Sequence, residues 1–128
     1  MLARGIRGAI TVDSNTKKEI LKRTEELLLT LKKSSHLKIE DIVSIFFSTT
    51  PDLNTTFPAA AARKLGWINV PLFGMQEIEV INSLKRCIRI LILVNSDKNQ
   101  NEIKHCYLRG AEKLREDLTN KDQREGIK

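Results

Sequence analysis

The alternation of apolar and polar residues predicts two strands and a long helix in the first part of the chain. Residues 2–12 divide their side chains between two faces, as a strand does. Residues 15–34 carry leucine and isoleucine along one helical stripe, and Thr16 and Glu19 have the spacing of a capping box. A second strand is predicted over residues 41–49, which are rich in β-branched and aromatic residues.

The remaining pattern predicts a second helix and three more strands. Pro58 suits the first position of a helix, the alanines after it favour helix, and Gly66 is placed to end it. Further strands are predicted over residues 68–73, 86–95 and 103–108, the last followed by a short helical turn. Residues 100–114 are also compatible with a helix. The order β-α-β-α-β-β-β predicts an α+β domain with a mixed β-sheet and helices packed on one face.

Length and composition predict a single domain. A chain of 128 residues with 41% hydrophobic residues can bury a core without disulfides or metal. We expect residues 1–118 to form this domain and the polar residues 119–128 to form a flexible tail. No apolar stretch approaches the roughly 20 residues of a membrane-spanning helix, and the N-terminus lacks a secretory pattern. The sequence therefore predicts a cytoplasmic protein without a membrane partner.

The net charge of +6 does not by itself indicate a nucleic-acid-binding protein. The basic residues are spread along the chain and mixed with acids, as in KKEILKRTEE, which is typical of a solvated helix face. We therefore predict no nucleic-acid partner. A basic surface also suits small acidic metabolites.

The chain offers no recognisable metal site, cofactor motif or nucleophile. Cys87 and Cys106 lie in apolar surroundings without CxxC spacing, which predicts buried thiols. His36 and His105 have no cysteine or carboxylate at ligand spacing, so we expect surface or structural histidines. No metal and no cofactor are predicted.

Arg7 and Arg89 stand within strands that the pattern predicts to be buried. Arg89 interrupts the apolar run CIRILILV, whose composition predicts a strand covered on both faces, and a buried guanidinium needs an opposite charge. Arg7 has small neighbours on its own face, which lets a ligand approach. Since arginine binds carboxylates with two parallel hydrogen bonds, the pair suits a small dianion. The alternative is that Glu77 or Glu79 neutralises Arg89 in a structural ion pair.

The predicted strands carry more apolar surface than two helices can cover. Residues 42–47 and 88–94 are almost entirely apolar on both faces. Oligomerisation through the sheet is the natural way to cover this surface.

Five ordered motifs resemble one enzyme family. The segments are RGIRGAITV, TPDLNTTFPAAAARKLGW, VPLFGMQEIEV, LKRCIRILILV and IKHCYLRGAEKLREDL. Over about residues 4–118, they resemble the monofunctional trimeric chorismate mutases of the mixed α/β type. The resemblance implies the Claisen rearrangement of chorismate to prephenate, a step of phenylalanine and tyrosine biosynthesis in the shikimate pathway, which needs no cofactor. It also implies a homotrimer, with the sheets packed into a pseudo-barrel and the sites at subunit interfaces.

The resemblance assigns catalytic roles to four residues. Arg89 is similar to the arginine that donates to the ether oxygen and to a substrate carboxylate. Arg7 resembles the residue that clamps a carboxylate, and Tyr107 the hydroxyl that bonds to it. Glu77 resembles the carboxylate that faces the ring hydroxyl.

Further residues are implied at the substrate. Phe57, Phe73 and Leu114 resemble apolar walls, Gly74 contributes its backbone, and Arg63 and Arg115 resemble mobile basic groups at the mouth.

The chain departs from the family pattern at three positions. Ala60 stands where a basic residue is usual, Gly74 where a cysteine is common, and Glu116 where proline is usual. We therefore expect activity with a raised KM. The rival interpretation is a non-catalytic trimeric binding protein for an anionic metabolite on the same scaffold.

Overall fold

The computed structural model describes residues 1–114, which form five strands and two helices. The elements are β1 (Leu2–Thr11), α1 (Lys17–Ser34), β2 (Ile42–Thr49), α2 (Ala59–Lys64), β3 (Leu72–Gln76), β4 (Cys87–Ser96) and β5 (Cys106–Leu108). Short 3-10 turns lie at Ile39–Asp41, Gln100–Glu102 and Arg109–Ala111. The predicted element order is confirmed.

All five of these strands join one mixed sheet in the order β3-β2-β4-β1-β5. The central strand β4 is antiparallel to both of its neighbours, β1 and β2. The outer strands are parallel to their partners, β3 to β2 and β5 to β1. The predicted α+β class with a mixed sheet is therefore confirmed.

Helix α1 packs its apolar stripe on one face of the sheet. Thr16 caps the helix by accepting a hydrogen bond from the Glu19 backbone N–H. Leu27 and Leu31 are fully buried against β1, where Gly8 leaves them space. A Cβ atom at Gly8 would lie 2.8 Å from Leu31 Cδ1, so the helix approaches the strand more closely than a side chain there would permit.

Helix α2 begins and ends as its sequence predicts. Pro58 precedes the helix, and Gly66 follows its end with a φ of 89°, a left-handed conformation that glycine adopts readily. The helix contacts α1 and β3 and buries Ala61 and Ala62 completely. Both helices therefore lie on the same face of the sheet.

Two predicted strands have different bounds in the structure. The strand predicted over residues 68–73 begins only at Leu72, where pairing with β2 begins at Ile45, and continues to Gln76 along that partner. The strand predicted over residues 103–108 is confined to Cys106–Leu108. It starts late because the His105 side chain, instead of strand backbone, accepts the hydrogen bond from the Arg7 N–H.

The central strand is expected to be covered on both faces, and in the single chain this prediction is wrong. On β4, Ile88, Ile90 and Ile92 are buried, whereas Arg89 and Leu91 point to the opposite, exposed face. We call this surface the open face of the sheet. It carries Arg7 and Ala9 of β1, Phe46 and Ser48 of β2, Phe73 and Met75 of β3, Arg89 and Leu91 of β4, and Tyr107 of β5.

We expect Gly8→Ala to lower the free energy of unfolding by roughly 1–3 kcal/mol, since the added methyl group overpacks a buried contact. Leu31 is fully buried and has little room to move away. Denaturant unfolding measures the effect. Gly74→Ala is the matched control, because a Cβ at Gly74 would meet no atom within 4 Å. Equal stability losses in the two variants would contradict this account of the helix contact.

Candidate active site

A cavity of about 560 Å³ opens on the open face of the sheet. It spans the central strands and continues to the C-terminal end of the described chain. Of the predicted site residues, it is lined by Arg7, Arg89, Tyr107 and Leu114. Its other lining residues are Gly8, Ala9, Phe46, Phe47, Ser48, Met75, Ile90 and Leu91.

Strand pairing places the two arginines side by side. Arg89 lies opposite Ala9 on β1, and Arg7 lies opposite Leu91 on β4. The two arginines are therefore diagonal neighbours on one face of an antiparallel pair. At this spacing, two long side chains can reach the same ligand. Ala9 lines the cavity beside them, and its small side chain leaves room for the cavity, as the small residues around Arg7 predict.

Glu77 is the carboxylate that faces Arg89. Its Oε2 lies 3.5 Å from Arg89 Nε and accepts a hydrogen bond of 2.7 Å from the Ser48 hydroxyl. The Glu77 backbone N–H donates to Thr49 O, which fixes the residue just after β3. The side chains of Arg89 and Glu77 are 45% and 28% exposed, so this pair is open to solvent rather than buried. A partly exposed ion pair adds little stability, which leaves Arg89 available to a ligand.

An apolar cluster closes one end of the cavity. Ala9, Cys87 and Ala111 are buried together, with Tyr107 and Leu114 packed against them. Burial raises the pKa of the Cys87 thiol to about 11, although the neighbouring Arg89 opposes this shift. The Cys87 thiol is therefore protonated at neutral pH and is not a nucleophile. Cys106 is only half-buried, beside the main core.

His105 fixes the strand that carries Tyr107. Its Nδ1 accepts a hydrogen bond of 2.9 Å from the Arg7 backbone N–H, so the acceptor nitrogen must be unprotonated. Burial and the nearby Arg7 guanidinium lower the pKa of His105. The expectation of a structural histidine is met, but no pattern in the sequence indicates its hydrogen bond to the Arg7 backbone.

Ser48 is a further site residue that the sequence analysis does not identify. Strand alternation from Phe46 places it on the same face of β2.

The remaining predicted site residues lie elsewhere. Phe57 and Gly74 line a second cavity of about 490 Å³ near β3, and Phe57 is 75% exposed. Phe73 is exposed on the open face, where its ring packs edge to face on Phe46 at a centroid distance of 6.3 Å. Arg63 is exposed on α2.

Several sequence-based assignments fall beyond the part of the chain that the structure describes. Outside residues 1–114 lie Arg115, Glu116, the domain boundary predicted at residue 118 and the tail predicted over residues 119–128. Within residues 1–114, no group of three or more His, Cys, Asp or Glu side chains could hold a metal ion. The first cavity instead combines two guanidinium groups and a phenol, and the Glu77 carboxylate lies beside it against Arg89 and Ser48. This set of groups suits a ligand with two carboxylates and a hydroxyl.

Comparison with known proteins gives consistent results. The family model described as chorismate mutase type I matches residues 3–118. The chorismate mutase AroH of Bacillus subtilis (strain 168) is 47% identical over 120 residues, which cover 93% of this chain and 94% of the relative. The chorismate mutase AroH of Thermus thermophilus is 44% identical over 118 residues, which cover 91% of this chain and 97% of the relative.

A solved structure agrees with these relatives. A chorismate mutase from Clostridium thermocellum superimposes with a TM-score of 0.83 at 47% sequence identity. The match covers 84% of this chain and 96% of that chain.

The His105 contact makes stability depend on pH. Because the folded pKa is lowered below the ordinary value of 6.5, the contribution of neutral His105 is fully present above that value. It is lost as the pH falls from about 6.5 toward the folded pKa. We expect His105→Gln, whose amide oxygen can accept the same bond without titrating, to weaken this dependence. Denaturant unfolding between pH 7 and pH 5, a range set by the ordinary histidine value, measures it.

The control for this experiment is His36→Asn, which removes an exposed imidazole at a position with a φ of 50° that asparagine tolerates. If His105→Gln and the wild-type protein lost stability in parallel over this pH range, the neutral-imidazole contact would be refuted.

Proposed function

Since the chain belongs to the chorismate mutase type I family and is a chorismate mutase, we propose that the arginine-lined cavity is the share of its active site that one subunit provides. The observation that carries this proposal is the placement of Arg7, Arg89 and Tyr107 around one cavity on adjacent strands. The substrate is the dianion chorismate, which the enzyme converts to prephenate in aromatic amino acid biosynthesis.

The reaction requires the protein to position the substrate and to stabilise charge. In a Claisen rearrangement, the ether C–O bond breaks while a C–C bond forms within the same molecule. No proton is transferred and no covalent intermediate with the enzyme forms. Catalysis therefore depends on holding the reactive conformer and on stabilising the negative charge that develops on the ether oxygen.

Each polar group of the cavity has a place in this scheme. Arg89 donates to the ether oxygen and to one substrate carboxylate, and it stands on the central strand β4, which pairs with β1 and β2. Arg7 and the Tyr107 hydroxyl bind a carboxylate. Glu77, which Ser48 and Arg89 hold in place, accepts the hydrogen bond of the ring hydroxyl.

We propose that a neighbouring subunit completes the site in a homotrimer, whose sheets pack as a pseudo-barrel. Phe57 and Gly74 line a different cavity from the arginines, so a second copy of the chain can bring them to the substrate. Arg63 of α2 and Arg115 would approach from the mouth. The exposed apolar side chains of the open face, Phe73 and Leu91, support such packing.

The comparisons lend no support to the non-catalytic binding protein. The departures at Ala60 and Gly74 instead bear on affinity, and a raised KM is the expected consequence. No helix in residues 1–114 is both long and apolar enough to cross a membrane. The cytoplasmic location stays a prediction of the sequence.

An assay of chorismate consumption without any added cofactor tests the proposed site. We expect turnover by the wild-type protein and a fall in kcat of about 100- to 1000-fold in Arg89→Met, which removes the donor to the developing charge. Arg89→Lys should also show a strongly reduced kcat, since one ammonium group cannot reproduce the two parallel hydrogen bonds of a guanidinium. The free energy of unfolding of Arg89→Met should change by less than about 1 kcal/mol, because its ion pair is partly exposed.

Arg4→Met is the matched control. Arg4 lies on β1, which pairs with the strand of Arg89, but it donates to Lys98 O and lines neither cavity. Near-normal turnover in Arg89→Met would overturn the role of Arg89. Absence of turnover by pure wild-type protein would overturn the proposed site as a whole.

Mixed trimers test the division of the site between subunits. Arg89→Met and Phe57→Asp should each be inactive alone. Refolding them together should restore about one quarter of the sites, if each site takes Arg89 from one subunit and Phe57 from the next. Mixing Arg89→Met with Arg7→Met should restore nothing, because both residues line the same cavity of one chain. Equal recovery in the two mixtures, or none in either, would contradict the shared site.

A further inference from the structure

A bidentate ion pair joins the end of β5 to helix α1. Arg109 Nε donates to Glu26 Oε2 at 3.2 Å, and Arg109 Nη2 donates to Glu26 Oε1 at 3.0 Å. This arrangement of two parallel bonds fixes direction as well as distance. It connects two segments that lie 83 residues apart in the chain.

The carboxylate in this pair is itself held in place. Arg23 Nη1 donates to Glu26 Oε1 at 2.8 Å, and Arg23 is only 8% exposed on α1. The hydrogen bonds and charges of Arg109 and Arg23 lower the pKa of Glu26 despite partial burial, so the carboxylate is ionised at neutral pH. Arg109 therefore docks on a fixed acceptor rather than on a mobile surface side chain.

The chain passes round the edge of the sheet at this point. Arg109 has a φ of 54°, which places a long side chain in the left-handed region. The next residue, Gly110, donates its N–H to Thr11 Oγ1 at 2.8 Å, and a Cβ there would lie 2.8 Å from the same oxygen. Arg109 reaches α1 on the covered face, while Leu114 lines the cavity on the open face.

The segment that makes this turn is held by a short strand pairing and by packing. Within residues 1–114, the three residues of β5 pair with Gly8–Ile10 of β1, and Ala111 is buried beside Ala9 and Cys87. A left-handed non-glycine residue persists only where surrounding contacts hold it. The side-chain hydrogen bonds at the turn itself are those of Arg109 with Glu26 and of Gly110 with the Thr11 hydroxyl.

We propose that Arg109 is a positioning residue for the active site, and that its pair with Glu26 holds the segment from Tyr107 to Leu114 against the substrate. The proposal rests on the proposed site, in which Tyr107 and Leu114 contact chorismate. Loss of the pair loosens contacts that the bound substrate makes both before and during the reaction, so it weakens binding more than it slows the chemical step. Its signature is a raised KM with kcat nearly unchanged.

Glu26→Gln tests the proposal in the full-length protein. We expect KM for chorismate to rise about five-fold, the upper range for an exposed ion pair, with kcat nearly unchanged. Arg109→Asn, which removes the guanidinium and tolerates the left-handed backbone, should give the same change. The double variant should show little further rise in KM, because both single variants break the same pair between Arg109 and Glu26. The contact with Arg23 that Glu26→Gln also weakens lies within α1.

Glu25→Gln is the matched control. Glu25 is the next residue of the same helix, and its carboxylate lies 3.6 Å from Lys64 of α2, away from β5. This variant also removes one charge from α1 and breaks one ion pair, but it should keep the wild-type KM. The KM difference between Glu26→Gln and the wild-type protein should also shrink at high salt, since an exposed pair is screened.

Equal KM values for Glu26→Gln and Glu25→Gln would overturn the proposal, as would additive effects of Glu26→Gln and Arg109→Asn. A parallel fall of kcat and stability with KM unchanged would also overturn it, because that pattern belongs to a merely structural pair. Failure of the wild-type protein to turn over chorismate is a different result, which would instead remove the proposed site on which the inference depends.

Discussion

The pairing of β4 with β1 on one side and β2 on the other is the constraint on which the rest of the structure depends. It holds a strand of buried isoleucines against the helices and, by alternation, directs Arg89 to the opposite face. A shift of one residue in this register would bury the arginine and expose the isoleucines. The buried core and the placement of Arg89 are therefore fixed by the same set of backbone hydrogen bonds.

The fold could be predicted largely because its signals are local. The stripe of α1 and its Thr16 cap, and the alanines and Gly66 of α2, lie within a few residues of the structure they specify. The edge strand β3 was misplaced because its length follows the strand it pairs with, and its exposed residues carry no clear periodicity. The sequence predicts a central strand that is covered on both faces. An apolar run in the sequence does not show which of the two faces the helices cover and which face they leave exposed.

The candidate site could likewise be predicted where its signals are local in the sequence, and not where they depend on distant residues. Arg7 and Arg89 were recognisable as charges within strands, and the family resemblance supplied their roles. Glu77 was one of two carboxylates considered as the partner of Arg89, and the structure selects it through Ser48. The contacts of His105 with Arg7 and of Arg109 with Glu26 span 98 and 83 residues. Such pairs have no local pattern, so only the folded chain reveals them.

The ion pair between Glu77 and Arg89 has a thermodynamic consequence for ligand binding. An arginine side chain free in solution holds about 2 kcal/mol of rotamer entropy, which immobilisation removes. Glu77, which is itself held by the hydrogen bond from Ser48, already restricts the guanidinium. Part of that entropy is thus lost when the chain folds, and correspondingly less is lost when the substrate arrives.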